Sequence, residues 1–168
     1  MANGRADNLT AYLSDATLTL PPALSVKSLA RQVASWLTTH EGATFSLFFG
    51  NMAGQRLYAV SLYSERSTVI AGGAVPNDLL QKFIEDNRDL LADPRNSIGI
   101  WYSDALHAIY LDVSATLPDR VEAISLGEWY NQEAIYDLGQ DEVLDTGGTG
   151  KLRGGWSSEA ERLPPLQR

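Results

Sequence analysis

Between Thr44 and Tyr130 the apolar residues switch twice from the two-residue period of a strand to the 3.6-residue period of a helix. That double switch constrains the fold more than any other feature of the chain. In the first copy, Thr44 to Phe49 and Leu57 to Tyr63 are rich in aromatic and branched residues, and Asn51-Met52-Ala53-Gly54-Gln55 between them reads as a turn. Ser67 to Ile70 continues the second strand or adds a third, and Gly72-Gly73 ends it. A helical stripe follows from about Pro76 to Leu91, carried by Leu79, Leu80, Phe83, Ile84, Leu90 and Leu91, with Asn87 on the same stripe. In the second copy, Ile98 to Ser103 and Ala108 to Val113 form a hairpin through Asp104-Ala105-Leu106-His107. The helix after it is expected to begin near Thr116, with Asp119 completing a capping box and Pro118 in the first turn.

The flanks extend this plan. Ser25 is a helix N-cap, and Val26, Leu29, Ala30, Val33 and Leu37 recur at helical spacing up to His40. Ala134 to Leu138 reads as a last short strand. Hairpins followed by helices favour an α+β fold: an antiparallel sheet built from two hairpins with about three helices on one face. Residues 1–15 are expected to be a loose N-terminal segment, 16–138 a single α+β domain, and 139–168 a flexible glycine-rich tail.

The 168 residues carry no cysteine, which excludes disulfides, thiolate metal sites and cysteine chemistry. The N-terminus has no apolar run behind Arg5, as a secretory signal would, and no stretch approaches the roughly 18 apolar residues of a membrane span. The expected compartment is the cytoplasm. The net charge is −8, and it is uneven: from Val121 to Gly150 there are seven carboxylates and no Lys or Arg. Such a field repels nucleic-acid backbones, so no direct nucleic-acid partner is expected. It reads either as a solubilising face or as a surface for a basic partner.

The short motifs that suggest chemistry are incomplete. Asp145-Thr146-Gly147 has the triplet of an aspartic protease, but too little chain follows it for the rest of such a fold. Gly147-Gly148-Thr149-Gly150-Lys151 resembles part of a phosphate loop, yet Asp145 stands where its first glycine belongs and Leu152 where a magnesium-binding hydroxyl belongs. His40 and His107 have no metal-ligand spacing around them. No catalytic residue, metal ligand or cofactor is assigned.

Trp101, Tyr102, Tyr110, Trp129, Tyr130 and Tyr136 form an aromatic set. In the strand from Ile98, the residues Ile98, Ile100 and Tyr102 face one way and Trp101 the other. The set is either core and rim or an interface. Trp129-Tyr130-Asn131-Gln132 and Ile135-Tyr136-Asp137-Leu138, with Leu111-Asp112-Val113-Ser114, Leu126-Gly127 and Gly147-Gly148-Thr149-Gly150, resemble a group of uncharacterised bacterial proteins, mainly actinobacterial and cyanobacterial. The resemblance covers roughly residues 90–150 and implies no function. Asn131 and Gln132 are read as ending the third helix and fixing the turn into the next strand, or as part of a binding site with Asp137.

The function expected from these features is a non-catalytic, acidic protein-interaction module or regulator with a basic protein partner. Its binding residues would be Glu128, Trp129, Tyr130, Asn131, Gln132, Tyr136, Asp137 and Asp141. The alternative is a small enzyme whose carboxylates Asp112, Glu128, Asp137 and Asp145 supply acid–base groups or ligands for a hard divalent cation.

Overall fold

The computed structural model describes residues 8–151 and 157–166. Its frame is one antiparallel sheet of eight strands: β1 (Gly42–Ser46), β2 (Gly50–Asn51), β3 (Tyr58–Val60), β4 (Thr68–Ala71), β5 (Asn96–Ser103), β6 (Ala108–Leu117), β7 (Ala134–Asp137) and β8 (Glu142–Asp145). They lie in the order β2-β1-β5-β6-β3-β7-β8, and β4 pairs with β6. The long hairpin β5–β6 is the spine, in register from Asn96↔Ala115 to Ser103↔Ala108. The far edge of β6 is shared. Its C-terminal half takes β3 and its N-terminal half takes β4, while residues 61–67 bulge away between them through a 3-10 turn at Ser64–Arg66.

Five α-helices accompany the sheet: α1 (Leu9–Ser14), α2 (Val26–Leu37), α3 (Asn77–Asp86), α4 (Arg88–Leu91) and α5 (Arg120–Trp129). Ser25 caps α2 by accepting from the Ser28 N–H at 3.1 Å. The stripe of α3 breaks at Asn87, which is buried and donates from Nδ2 to the Phe83 carbonyl at 2.8 Å. That bond turns the chain into α4. On the back of the sheet Leu29, Val33, Leu80, Phe83 and Ile84 pack with Ile98, Ile100, Leu111 and Val113 in the main core. A second cluster lies on the front, where Leu9 and Tyr12 of α1 meet Met52, Leu57, Ala59 and Leu138.

Several expectations are corrected. The sheet is not two hairpins with three helices on one face. β1 pairs with β2 and β5, and β3 pairs with β6 and β7, so the expected first hairpin does not form. The chain instead turns back at once into β2, and Met52 is drawn fully under α1, which pulls the following residues off the β1 edge. Helices lie on both faces rather than one, because Leu9 and Tyr12 of α1 dock on one end of the front. α5 starts at Arg120 with Asp119 as its cap, accepting from the Glu122 N–H at 2.8 Å. Thr116 is not a cap: it lies within the last two residues of β6 and donates to the Arg95 carbonyl at 2.7 Å.

Parts of both flanks form regular structure. Residues 9–14 of the supposedly loose segment are helical, and 142–145 of the supposed tail pair with β7 as β8. Residues 157–166 are held by buried Arg162, which donates to the Leu62 carbonyl at 2.7 Å and pairs with Glu65 at 2.6 Å. Arg66 grips the same segment through Glu159 at 2.7 Å. The contacts of 157–166 are long-range and leave no local signal, whereas β8 closes a short hairpin with β7 inside a glycine-rich stretch. The readings of residues 1–7, 152–156 and 167–168 lie outside the described residues.

Candidate functional site

Side chains alternate across β5 and β6, so the residues between the core positions point to the front. The cross-strand pairs there are Ser97↔Ser114, Gly99↔Asp112 and Trp101↔Tyr110. The second cluster covers one end of this face. The rest is an open groove of about 1200 Å³. Trp101 and Tyr110 stack in it with centroids 4.3 Å apart and planes at 11°, and Trp101 remains 44 % exposed. Val69 of β4 and Val143 of β8 flank the groove with more exposed apolar surface, 55 % and 65 %.

Asp112 sits at the bottom. It can lie there because residue 99 is glycine: a Cβ at Gly99 would collide with Asp112 Oδ1 and come within 3.0 Å of Ser114 Oγ. Ser114 donates to Asp112 Oδ1 at 2.9 Å. Asp112 is half-buried: it keeps access to the groove, while the surrounding protein desolvates its carboxylate. Burial outweighs the lowering effect of the Ser114 hydrogen bond and leaves the Asp112 carboxyl raised to about 6. Ser97, the next front-facing residue on β5, is buried, and among the described residues its hydroxyl oxygen has no hydrogen-bond partner. The other charged residues lining the groove are Glu41, Glu133, Asp141 and Lys151.

The eight expected binding residues divide into three groups. Gln132, Tyr136 and Asp141 line the groove. The Tyr136 hydroxyl donates to Asp141, and burial together with that bond pushes it up to about 12. Tyr130, Asn131 and Asp137 are buried and hold structure. Asn131 adopts φ 55°, donates to Thr149 Oγ1 at 2.6 Å and to the Lys151 carbonyl at 3.0 Å, and accepts from the Thr149 N–H at 3.1 Å. The Gln132 carbonyl accepts from Thr146 Oγ1 at 2.6 Å and from the Gly148 N–H at 3.0 Å. A Cβ at Gly148 would overlap that carbonyl, which accounts for the glycine there. Asp137 Oδ1 accepts from the Gly139 and Gln140 N–H groups at 3.0 Å and so shapes the β7–β8 turn. Tyr130 shares a 3.0 Å hydrogen bond with Ser157. Glu128 and Trp129 are exposed on α5 and do not line the groove; Trp129 is 69 % exposed.

The expected set does not include Asp112, Gly99 or Ser114, which lie together in the groove. The available signal was a carboxylate inside an apolar strand, between Leu111 and Val113, with a glycine in the partner strand. Of the four carboxylates of the enzyme alternative, only Asp112 lines the groove. Among the described residues no group of three or more His, Asp or Glu side chains is placed to hold a metal ion. No helix of the described residues is long and apolar enough to cross a membrane. Compared with protein-family models, with curated proteins and with solved structures, the chain has no significant match.

Proposed function

We propose that this protein is a non-catalytic interaction module that takes a basic segment of a partner protein along the front groove. The observation that carries this reading is the groove's composition. Among the described residues, its carboxylates Glu41, Asp112, Glu133 and Asp141 outnumber its one ammonium, Lys151, and its floor carries the stacked Trp101 and Tyr110. Clustered carboxylates speed encounter with a positive partner, and the aromatic pair supplies the apolar contact that charge alone does not. The whole-chain charge of −8 acts in the same direction.

The test is a titration with decalysine, followed by isothermal calorimetry at low and high salt. Binding that weakens with salt and disappears in Trp101→Ala supports the groove. Binding unaffected by that substitution moves the partner surface elsewhere, for example to the exposed Glu128 and Trp129.

A second reading has one observation behind it. A carboxyl raised to about 6 is in the range where a general base works near neutral pH, and Asp112 is such a group. A substrate seated in the groove, turned over by the native protein and not by Asp112→Asn, would replace the binding reading with this one.

A further inference from the structure

We propose that Asp112, lying across Gly99 at the bottom of the groove, is the socket for one lysine side chain of the bound segment. This rests on the groove reading and names what the groove recognises. A buried carboxylate without a cationic partner is costly, and in this protein it also requires a glycine opposite to make room for it. Among the described residues, the ion pairs of this chain involve Arg66, Lys82, Arg88, Arg95 and Arg162, none of which reaches Asp112. Among the described residues the carboxylate at the bottom of the open groove therefore has no cation paired with it.

The geometry favours an ammonium over a guanidinium. Ser114 already donates to Oδ1, so the two carboxylate oxygens are not equally free for the parallel bonds of an arginine fork. An ammonium needs only separate acceptors for its three N–H donors. Oδ2 is one, and the hydroxyls of Ser114 and Thr44, on the same groove, carry further lone pairs. Ser97 adds an unused hydroxyl on the same face, across from Ser114. The aliphatic stem of a lysine would lie along Val69 and the Trp101–Tyr110 pair while its charged end reaches the carboxylate.

The experiment compares decalysine, deca-arginine and fully acetylated decalysine on four proteins: native, Asp112→Asn, Glu128→Gln and the rim variant E41Q/E133Q/D141N. The expected result is that Asp112→Asn weakens decalysine binding about tenfold or more, as loss of one partner of a desolvated charge pair does. Glu128→Gln removes the same charge outside the groove and should change the affinity less than about twofold. Acetylated decalysine should not bind. If native protein binds decalysine, the rim variant loses it and Asp112→Asn keeps it, the groove reading stands and the socket is wrong. If deca-arginine binds at least as tightly with the same dependence on Asp112, the lysine assignment is overturned. If decalysine does not bind native protein at low salt, both readings fall. Folding of Asp112→Asn is checked by unfolding at neutral pH, where it should be at least as stable as the native chain.

Discussion

On the back of the sheet, Ile98, Ile100, Leu111 and Val113 are at most 4 % exposed and lie within the helix-packed core. On the front, the alternating residues of the same two strands are Gly99, Trp101, Tyr110 and Asp112, and they line an open groove. One hairpin thus carries two different surfaces, because a strand's side chains alternate. The back is chosen for volume and the front for chemistry. A carboxylate in a β-run is a packing error if that strand is buried on both sides. It becomes a feature once only one side is covered.

The comparison breaks most sharply at Phe83. It is 5 % exposed in the back core, and Phe83→Ala should cost roughly 3–5 kcal/mol in denaturant unfolding. A loss below about 1 kcal/mol would mean that α3 does not carry the back face.

Arg162 comes next. It joins residues 157–166 to the Leu62 carbonyl and to Glu65, and lies 5.8 Å from the ring centres of Tyr63 and Tyr130. Burial works to raise the Glu65 carboxyl, but the Arg162 guanidinium is among the groups that hold it below its usual value. Arg162→Ala should cost about 1–3 kcal/mol, since it strips a buried carbonyl of a charged donor. An unchanged melting temperature would restore the expectation of an independent tail.

On the front, Asp112→Asn should act with the opposite sign. The native state holds the Asp112 proton more tightly than the unfolded chain does, so the ionised carboxylate costs stability above about pH 6. That cost vanishes as the pH falls toward the ordinary value of 3.8. Asp112→Asn should therefore be more stable than the native chain near pH 8, by on the order of 1–2 kcal/mol, and equal to it near pH 4. The Arg66 guanidinium holds Asp89 below its usual value and gives the reverse dependence, but both proteins share it, so the difference isolates Asp112. Unfolding across this pH range measures it, and a constant difference would place Asp112 in water. The smallest effect is at Trp101. Trp101→Ala should cost only about 0.5–1.5 kcal/mol, the contribution of its stack with Tyr110, while removing peptide binding.

Local signals were legible and long-range ones were not. Ser25, the stripe of α2 and the β5–β6 hairpin follow from capping, periodicity and a short turn, all within a few residues. The pairing of β3 with β6 and β7 spans some 55 to 80 positions along the chain, and no local pattern encodes it. β8 and the docked segment at 157–166 were masked by glycine-rich surroundings, although Asn131 and Gln132 at the end of α5 proved to be the residues that clamp residues 146–151. The alternation in β5 marked Trp101 as facing away from Ile98 and Ile100. It could not show that Asp112 shares that face, since this needs the register Gly99↔Asp112.

The most direct test of the two-face account is amide chemical-shift mapping with decalysine. The account predicts that the largest changes cluster at Gly99, Trp101, Tyr110, Asp112 and Ser114, with the helices of the back face unmoved. Changes centred on Glu128 and Trp129, or no changes at all at low salt, would contradict it.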